Sequence, residues 1–320
     1  MGEMHQKPDL RVQVAGLELQ NPIIAASGTC GYGEELHSFV DLNQLGAVVM
    51  KGLSLQPWRG NPGPRLVETS AGMLNSVGLQ NIGIEAFIRD QLPRLRQFRT
   101  HIVVNFFGTT PSEYAAVAER ASDTAGIAAL EANISCPNTQ HDGLLFSSDP
   151  RLTYEVISRV RQVTSLPLIV KLSPNVTDIV PIAHAAEEAG ADAVSLINTL
   201  LGMAIDLDTR TPCLPLGSGG LSGPAIKPVA LRMVWQVAQA VAIPVIGMGG
   251  ISTGEDALEF IVAGSSACQV GTASFADPGA CRTILAEMRR YLQRHRIASV
   301  AELCGTLKLP AVHPVASGRE

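Results

Sequence analysis

Two lysines of this chain close runs of apolar residues, Val48-Val49-Met50-Lys51 and Leu168-Ile169-Val170-Lys171. A lysine is almost never fully buried without a partner. An ammonium at the end of such a run therefore has a chemical use: it can stabilise the charge of a reduced, anionic flavin, or form a Schiff base with a carbonyl substrate. Cys136 closes a third run, in Asn133-Ile134-Ser135-Cys136-Pro137-Asn138, where the proline and asparagine that follow make a turn that projects the thiol. That position separates it from Cys30, Cys213, Cys268, Cys281 and Cys304, most of which read as small buried hydrophobes. Asn105, Asn133 and Asn198 end further runs. An amide offers donors and an acceptor together, which suits a flat heterocycle of alternating N–H and C=O groups. The last two runs end in Gly249-Gly250 and Gly271-Thr272, where backbone N–H groups and a helix N-terminus can hold a phosphate.

The elements that position these residues alternate. Eight short apolar runs read as strands: Pro22–Ser27, Ala47–Gly52, His101–Gly108, Ala129–Cys136, Pro167–Pro174, Ala193–Leu200, Pro244–Gly250 and Ala267–Ser274. Segments of helical period follow most of them, at Ser112–Ser122, Pro150–Thr164, Thr177–Ala189, Pro224–Val241, Thr253–Ala263 and Pro278–Gln293. Thr110-Pro111 and Asp277-Pro278 place an N-cap candidate before a proline at the first helical turn. Eight β/α units predict an α/β fold, a closed (β/α)8 TIM barrel. The open doubly wound sheet is the competitor, but the first turn lacks its G-x-G-x-x-G fingerprint. In a barrel the polar residues at strand C-termini share one face, so Lys51, Cys136, Lys171 and the asparagines converge there. Gln56–Gly83 and Gly202–Gly223 are too long for ordinary βα loops and follow strands, so both are expected on that face. Leu10–Leu19, with a turn at Ala15-Gly16, reads as a hairpin that plugs the opposite end.

With 320 residues, 46% of them hydrophobic and 17% charged, and no linker of distinct composition, the chain reads as a single domain over residues 1–320. A net charge of −5 argues against a nucleic-acid surface, which needs clustered Lys and Arg. Met1 to Arg11 is polar, and no run reaches the ~18 apolar residues that span a bilayer. The expectation is a cytoplasmic protein without a membrane anchor. The six cysteines form no C-x-x-C pair and the seven histidines no H-E-x-x-H, so no metal site is expected.

The longer motifs identify a family. Met73-Leu74-Asn75-Ser76-Val77-Gly78-Leu79-Gln80-Asn81, Asn133-Ile134-Ser135-Cys136-Pro137-Asn138, Lys171-Leu172-Ser173-Pro174-Asn175, Ile197-Asn198-Thr199, Gly219-Gly220-Leu221-Ser222-Gly223-Pro224-Ala225-Ile226-Lys227-Pro228 and Gly247-Met248-Gly249-Gly250-Ile251 together resemble the dihydroorotate dehydrogenases over essentially the whole chain, class 1B most closely. The resemblance implies that FMN is held by Ser27, Lys51, Gly52, Asn105, Asn133 and Lys171, with Ile197, Gly223, Gly249, Gly250, Gly271 and Thr272. It implies that orotate or dihydroorotate is held by Lys51, Asn75, Gly78, Leu79, Asn133, Asn198 and Thr199, with Ser76 and Val77 of the same motif.

The mechanism it implies has Cys136 removing a proton from C5 of dihydroorotate while a hydride leaves C6 for the flavin, with Lys51 and Lys171 in the catalytic set and Lys171 stabilising the reduced cofactor. A cysteine base and no N-terminal membrane segment resemble class 1, since class 2 enzymes use serine. Leu200-Leu201-Gly202 and the Gly219–Gly223 stretch resemble class 1B, which implies a homodimer within a heterotetramer whose second subunit carries FAD and a [2Fe–2S] cluster and reduces NAD⁺. Phe106-Phe107 and Gln140-His141-Asp142 depart from the family pattern, and His141 reads as a solvated loop histidine. The alternatives are a fumarate-linked class 1A enzyme, a barrel similar to dihydropyrimidine dehydrogenase, and a Schiff-base aldolase built on Lys171.

Overall fold

The structure is a computed structural model that describes residues 7–134 and 146–310. Its frame is a closed barrel of eight strands: β1 (Ile23–Ala25), β2 (Ala47–Val49), β3 (His101–Phe106), β4 (Ala129–Asn133), β5 (Leu168–Lys171), β6 (Ala193–Leu196), β7 (Val245–Met248) and β8 (Ala267–Val270). Each strand pairs in parallel with the next, and β8 pairs with β1. Strands shielded from water on both faces read as continuous apolar runs, which is why these segments stood out in the sequence. The ladders are shorter than the runs. Residues such as Gly52 and Gly108 have already left the ladder, because the chain must turn outward there to line a mouth.

The register matters more than strand length. Asn105 lies opposite Glu131, Asn133 opposite Lys171, and Lys171 opposite Ser195. Adjacent strands thus bring their polar side chains to common levels inside the barrel.

The helices Pro111–Ser122, Pro150–Arg161, Val180–Glu188, Lys227–Ala238, Gly254–Ala263 and Ala280–His295 cover the barrel. Pro111–Ser122 buries Tyr114, Val117, Ala118 and Ala121, a spacing that marks one helical face. Its expected cap is present: the Thr110 hydroxyl accepts a hydrogen bond from the Glu113 N–H at 3.2 Å, an interaction whose loss typically costs ~1 kcal/mol. The second expected cap is a correction. The helix expected from Pro278 starts at Ala280, and its N-cap, Gly279, makes no side-chain hydrogen bond. The Asp277 carboxylate instead accepts from Gly279 N at 2.8 Å, a turn that precedes the helix and uses the aspartate's local bonding capacity before the helix begins.

Val12–Val14 and Leu17–Leu19 form the expected hairpin. Ala15 and Gly16 both have positive φ, 51° and 77°, as a two-residue type I′ turn requires. His101, at the start of β3, shares a 2.9 Å hydrogen bond with the Glu18 carbonyl, which fixes the hairpin at the N-terminal end of the barrel. At the other end the two long excursions combine. Leu66–Thr69, Gly72–Asn75, Gly219–Ser222 and Leu200–Gly202 form one four-stranded antiparallel sheet. Phe106 and Phe107 are both buried. Phe106 meets Tyr114 edge-on at 6.0 Å and Phe107 meets Trp58 edge-on at 6.2 Å, so their bulk is absorbed by aromatic packing behind the mouth.

Candidate active site

Beneath the four-stranded sheet, at the C-terminal ends of the barrel strands, lies a cavity of about 700 Å³, within the usual range for small-molecule sites. Ser27, Lys51, Gly52, Asn105, Asn133, Lys171 and Ile197 reach its wall from the ends of β1 to β6. Gly223, Gly249, Gly250, Gly271 and Thr272 form one end, and Asn75, Val77, Gly78, Leu79, Asn198 and Thr199 enter from the excursion strands and the segments beside them. Ser76 does not reach the wall. Alternation along an extended chain turns it away from Asn75, and it is buried with its hydroxyl accepting from Asn61 Nδ2 at 3.1 Å. Cys136 and the Gln140-His141-Asp142 stretch lie outside the described residues.

Hydrogen bonds hold the mouth in place. Asn75 Nδ2 donates to the Gly220 carbonyl at 3.1 Å. Asn175 donates to the Thr199 carbonyl at 3.0 Å and accepts from Leu201 N at 2.9 Å, which pins the chain as it leaves β6. Gly220 allows the close approach: a Cβ there would lie 2.1 Å from Thr199 Oγ1 and 3.3 Å from Asn75 Nδ2. Ser27 Oγ donates to the Met50 carbonyl at 2.7 Å, joining the ends of β1 and β2 beside Lys51.

The glycine end is built for close backbone approach. Gly223, Gly249 and Gly250 have φ of 93°, 124° and 79°, conformations that L side chains rarely adopt. Thr272 Oγ1 donates to Ser222 Oγ at 2.8 Å, tying the β8 end to the excursion. Asp256 stiffens the β7 end. Its carboxylate accepts from Ser252 N, Ser252 Oγ and Thr253 N, each at 2.9 Å, and from Lys227 Nζ at 2.6 Å. Burial alone would raise the pKa of Asp256, but the Lys227, Ser252 and Thr253 donors outweigh it and hold the carboxyl at about 2. The folded-state pKa is thus depressed below the ordinary 3.8, so the stabilisation is present above that value and is lost as pH falls toward 2. Asp256→Asn is expected to cost roughly 1–3 kcal/mol at neutral pH. In denaturant unfolding followed from pH 6 downward, the gap between wild type and variant should narrow below pH 4; a gap that widens there refutes the assignment.

Several contributors were not singled out from the sequence. Asn175, Ser252 and Asp256 carry only the ordinary signals of loops and caps. Glu131 and Gln269 carried a better one: each is a polar residue inside an otherwise apolar strand, and Glu131 shares the strand face of Asn133 two residues on. Among the described cysteines, Cys30, Cys268 and Cys281 are buried. Burial pushes the Cys30 thiol up to about 12 and Cys281 up to about 11, which makes these inert core groups.

The family model for Dihydroorotate dehydrogenase matches residues 9–292. The chain is 60% identical over 304 residues to the dihydroorotate dehydrogenase B (NAD⁺) catalytic subunit of Geobacter sulfurreducens, covering 95% of this chain and 100% of that protein. It is 58% identical to the protein of the same description from Geotalea uraniireducens, over 94% of this chain and 99% of that one. With that from Trichlorobacter lovleyi the identity is 57%, over 94% and 99% of the two chains. A family match along nearly the whole barrel, on a fold whose strand ends meet around one cavity, places the chain in the dihydroorotate dehydrogenase family.

Proposed function

We propose that this chain is the FMN-binding catalytic subunit of a class 1B dihydroorotate dehydrogenase, a single domain that oxidises (S)-dihydroorotate to orotate in pyrimidine biosynthesis. The observation that carries the reading is the meeting of Lys51, Lys171, Asn105, Asn133 and the positive-φ glycines around one cavity. The wall fits FMN on structural grounds. Asn105 Oδ1 and Gln269 Oε1 are buried acceptors without a partner among the described residues, ready for ring N–H groups. Gly250 is a cradle that a side chain would fill, since a Cβ there would come within 2.8 Å of the Gly223 carbonyl.

In this reading Gly249, Gly250, Gly271 and Thr272 offer backbone donors to the phosphate, and Ser27, Gly52, Ile197 and Gly223 shape the space beside the ring system. When bound, FMN supplies the two-electron acceptor for the hydride that leaves C6 of dihydroorotate. Asn75, Asn133, Asn198 and Thr199 orient the substrate through its amide and carboxylate edges, and Lys51 adds a cation beside it. Cys136 takes the proton from C5. Lys171 provides positive charge where reduction places negative charge. The excursion sheet shields this chemistry from solvent.

The relatives' description as catalytic subunits supports an electron-transfer partner for this chain, carrying FAD and a [2Fe–2S] cluster and reducing NAD⁺, in a heterotetramer built on a homodimer. The reading places the protein in the cytoplasm; no helix among the described residues is long and apolar enough to cross a membrane. No feature of the site among the described residues favours the fumarate-linked, dihydropyrimidine or aldolase alternatives. The test is an anaerobic visible spectrum of the purified chain. Oxidised flavin bands that bleach on adding dihydroorotate, and not on adding uracil or thymine, are expected. Folded protein without flavin, or flavin that dihydroorotate leaves oxidised, overturns the reading.

A further inference from the structure

Glu131 on β4 is fully buried inside the barrel and is not part of the cavity wall. Three donors converge on its two oxygens: Asn105 Nδ2 at 2.7 Å, Ser195 Oγ at 2.9 Å and Gln269 Nε2 at 2.5 Å. Lys171 Nζ stands 4.0 Å away. Asn105, Gln269 and Lys171 do belong to the wall. Because the NH2 groups of both amides are taken by Glu131, their carbonyl oxygens, Asn105 Oδ1 and Gln269 Oε1, remain unpartnered among the described residues. One carboxylate therefore sets the hydrogen-bonding sense of two wall residues and stands next to the charge of a third. Removing the carboxylate would let either amide turn over and offer a donor where it now offers an acceptor.

We infer that Glu131 is a positioning residue of the cofactor site: it holds Asn105 and Gln269 with their acceptors free for a ring N–H, and its charge offsets that of Lys171, which sets the potential of the bound flavin. The inference rests on the FMN reading above. It makes no use of Cys136 or of substrate contacts. A carboxylate close to the cation reduces the positive potential that Lys171 presents, and so moderates how much more tightly the reduced cofactor is held than the oxidised one.

The test compares FMN dissociation constants and midpoint potentials, against a reference dye at fixed pH, for wild type, Glu131→Gln, Lys171→Met and the double variant. Folding of each flavin-free protein is checked by thermal denaturation. Glu131→Gln puts an NH2 among three donors, and oxidised FMN is expected to bind about tenfold more weakly for one lost wall contact. The preference for reduced over oxidised FMN should rise by about tenfold, a positive shift of about 30 mV for a two-electron couple. Lys171→Met should shift the potential the other way. The double variant should return to near the wild-type potential. It removes both buried charges, a change proteins tolerate better than stranding one, so the test holds even if Glu131→Gln does not fold. A potential unmoved in folded Glu131→Gln, or a double variant as low as Lys171→Met, overturns the inference while leaving the FMN reading intact. A wild type that retains no flavin overturns both.

Discussion

Replacing Cys136 by alanine lowers the rate at which dihydroorotate bleaches the bound flavin by about 10²- to 10⁴-fold, the usual contribution of a positioned general base. The flavin itself stays bound, because Cys136 is not among the groups assigned to hold it, and all of those but Asn133 belong to other strand ends or to the glycine cradle. An unperturbed thiol titrates near pH ~8.5, and the base acts only when deprotonated. The wild-type rate of bleaching should therefore climb with pH through that region, or through a lower one if the site favours the thiolate, and the alanine variant should lose this limb. Stopped-flow reduction at saturating dihydroorotate from pH 6 to 10 reads both. A variant within tenfold of wild type, or a flat wild-type profile, removes cysteine from the role. None of the other cysteines, Cys30, Cys213, Cys268, Cys281 and Cys304, lines the cavity, and burial also holds Cys30 and Cys281 high, at about 12 and about 11.

The barrel was legible because its signal is local. Each of the eight strands is a short apolar run, and each was found where the sequence placed it, with only the ends differing. Those ends carry Lys51, Asn105, Asn133 and Lys171, and strand-end position alone brought them to one cavity, because parallel strands in a closed barrel all finish on one face. The Ala15-Gly16 turn was equally local, written in two residues. Asp277 misled for a related reason: an aspartate before a proline marks a turn as readily as a helix start, and only the three-dimensional course of Pro278 and Gly279 decides between them.

What the sequence hid is non-local. The pairing of Gly72–Asn75 with Gly219–Ser222 joins segments that have no periodicity in common and whose contact depends on the barrel that separates them. Glu131 lay in plain view as a charge in an apolar strand. Its partners Asn105, Ser195 and Gln269 come from three other strands, however, and only the closed barrel shows that they converge. Ser76 illustrates the limit of a motif. It belongs to the same run of residues as Asn75, but the two-residue alternation of extended chain sends it the other way.

The glycine cradle gives the second large effect, with its own control. Gly250 has φ 79° and Gly16 has φ 77°, so alanine at either position incurs the same left-handed backbone penalty, about 1–2 kcal/mol. The surroundings differ. A Cβ at Gly16 meets nothing within 4 Å, whereas one at Gly250 lies 2.8 Å from the Gly223 carbonyl and 2.9 Å from Lys227 N. Relief there must move either the excursion turn at Gly223, which lines the cavity, or the start of the helix Lys227–Ala238, which follows directly on the wall residue Ile226. Misplacing two charge-assisted hydrogen bonds to a phosphate, at roughly 1.5–3 kcal/mol each, weakens FMN by at least about 100-fold. Gly250→Ala is thus expected to purify colourless and folded, while Gly16→Ala loses a little stability and keeps its flavin. Equilibrium titration with FMN, followed by fluorescence quenching, compares the two. Equal affinity in both variants would mean that the phosphate is held elsewhere; weak binding in both would mean that the hairpin at the opposite end of the barrel governs the site through the strands between them.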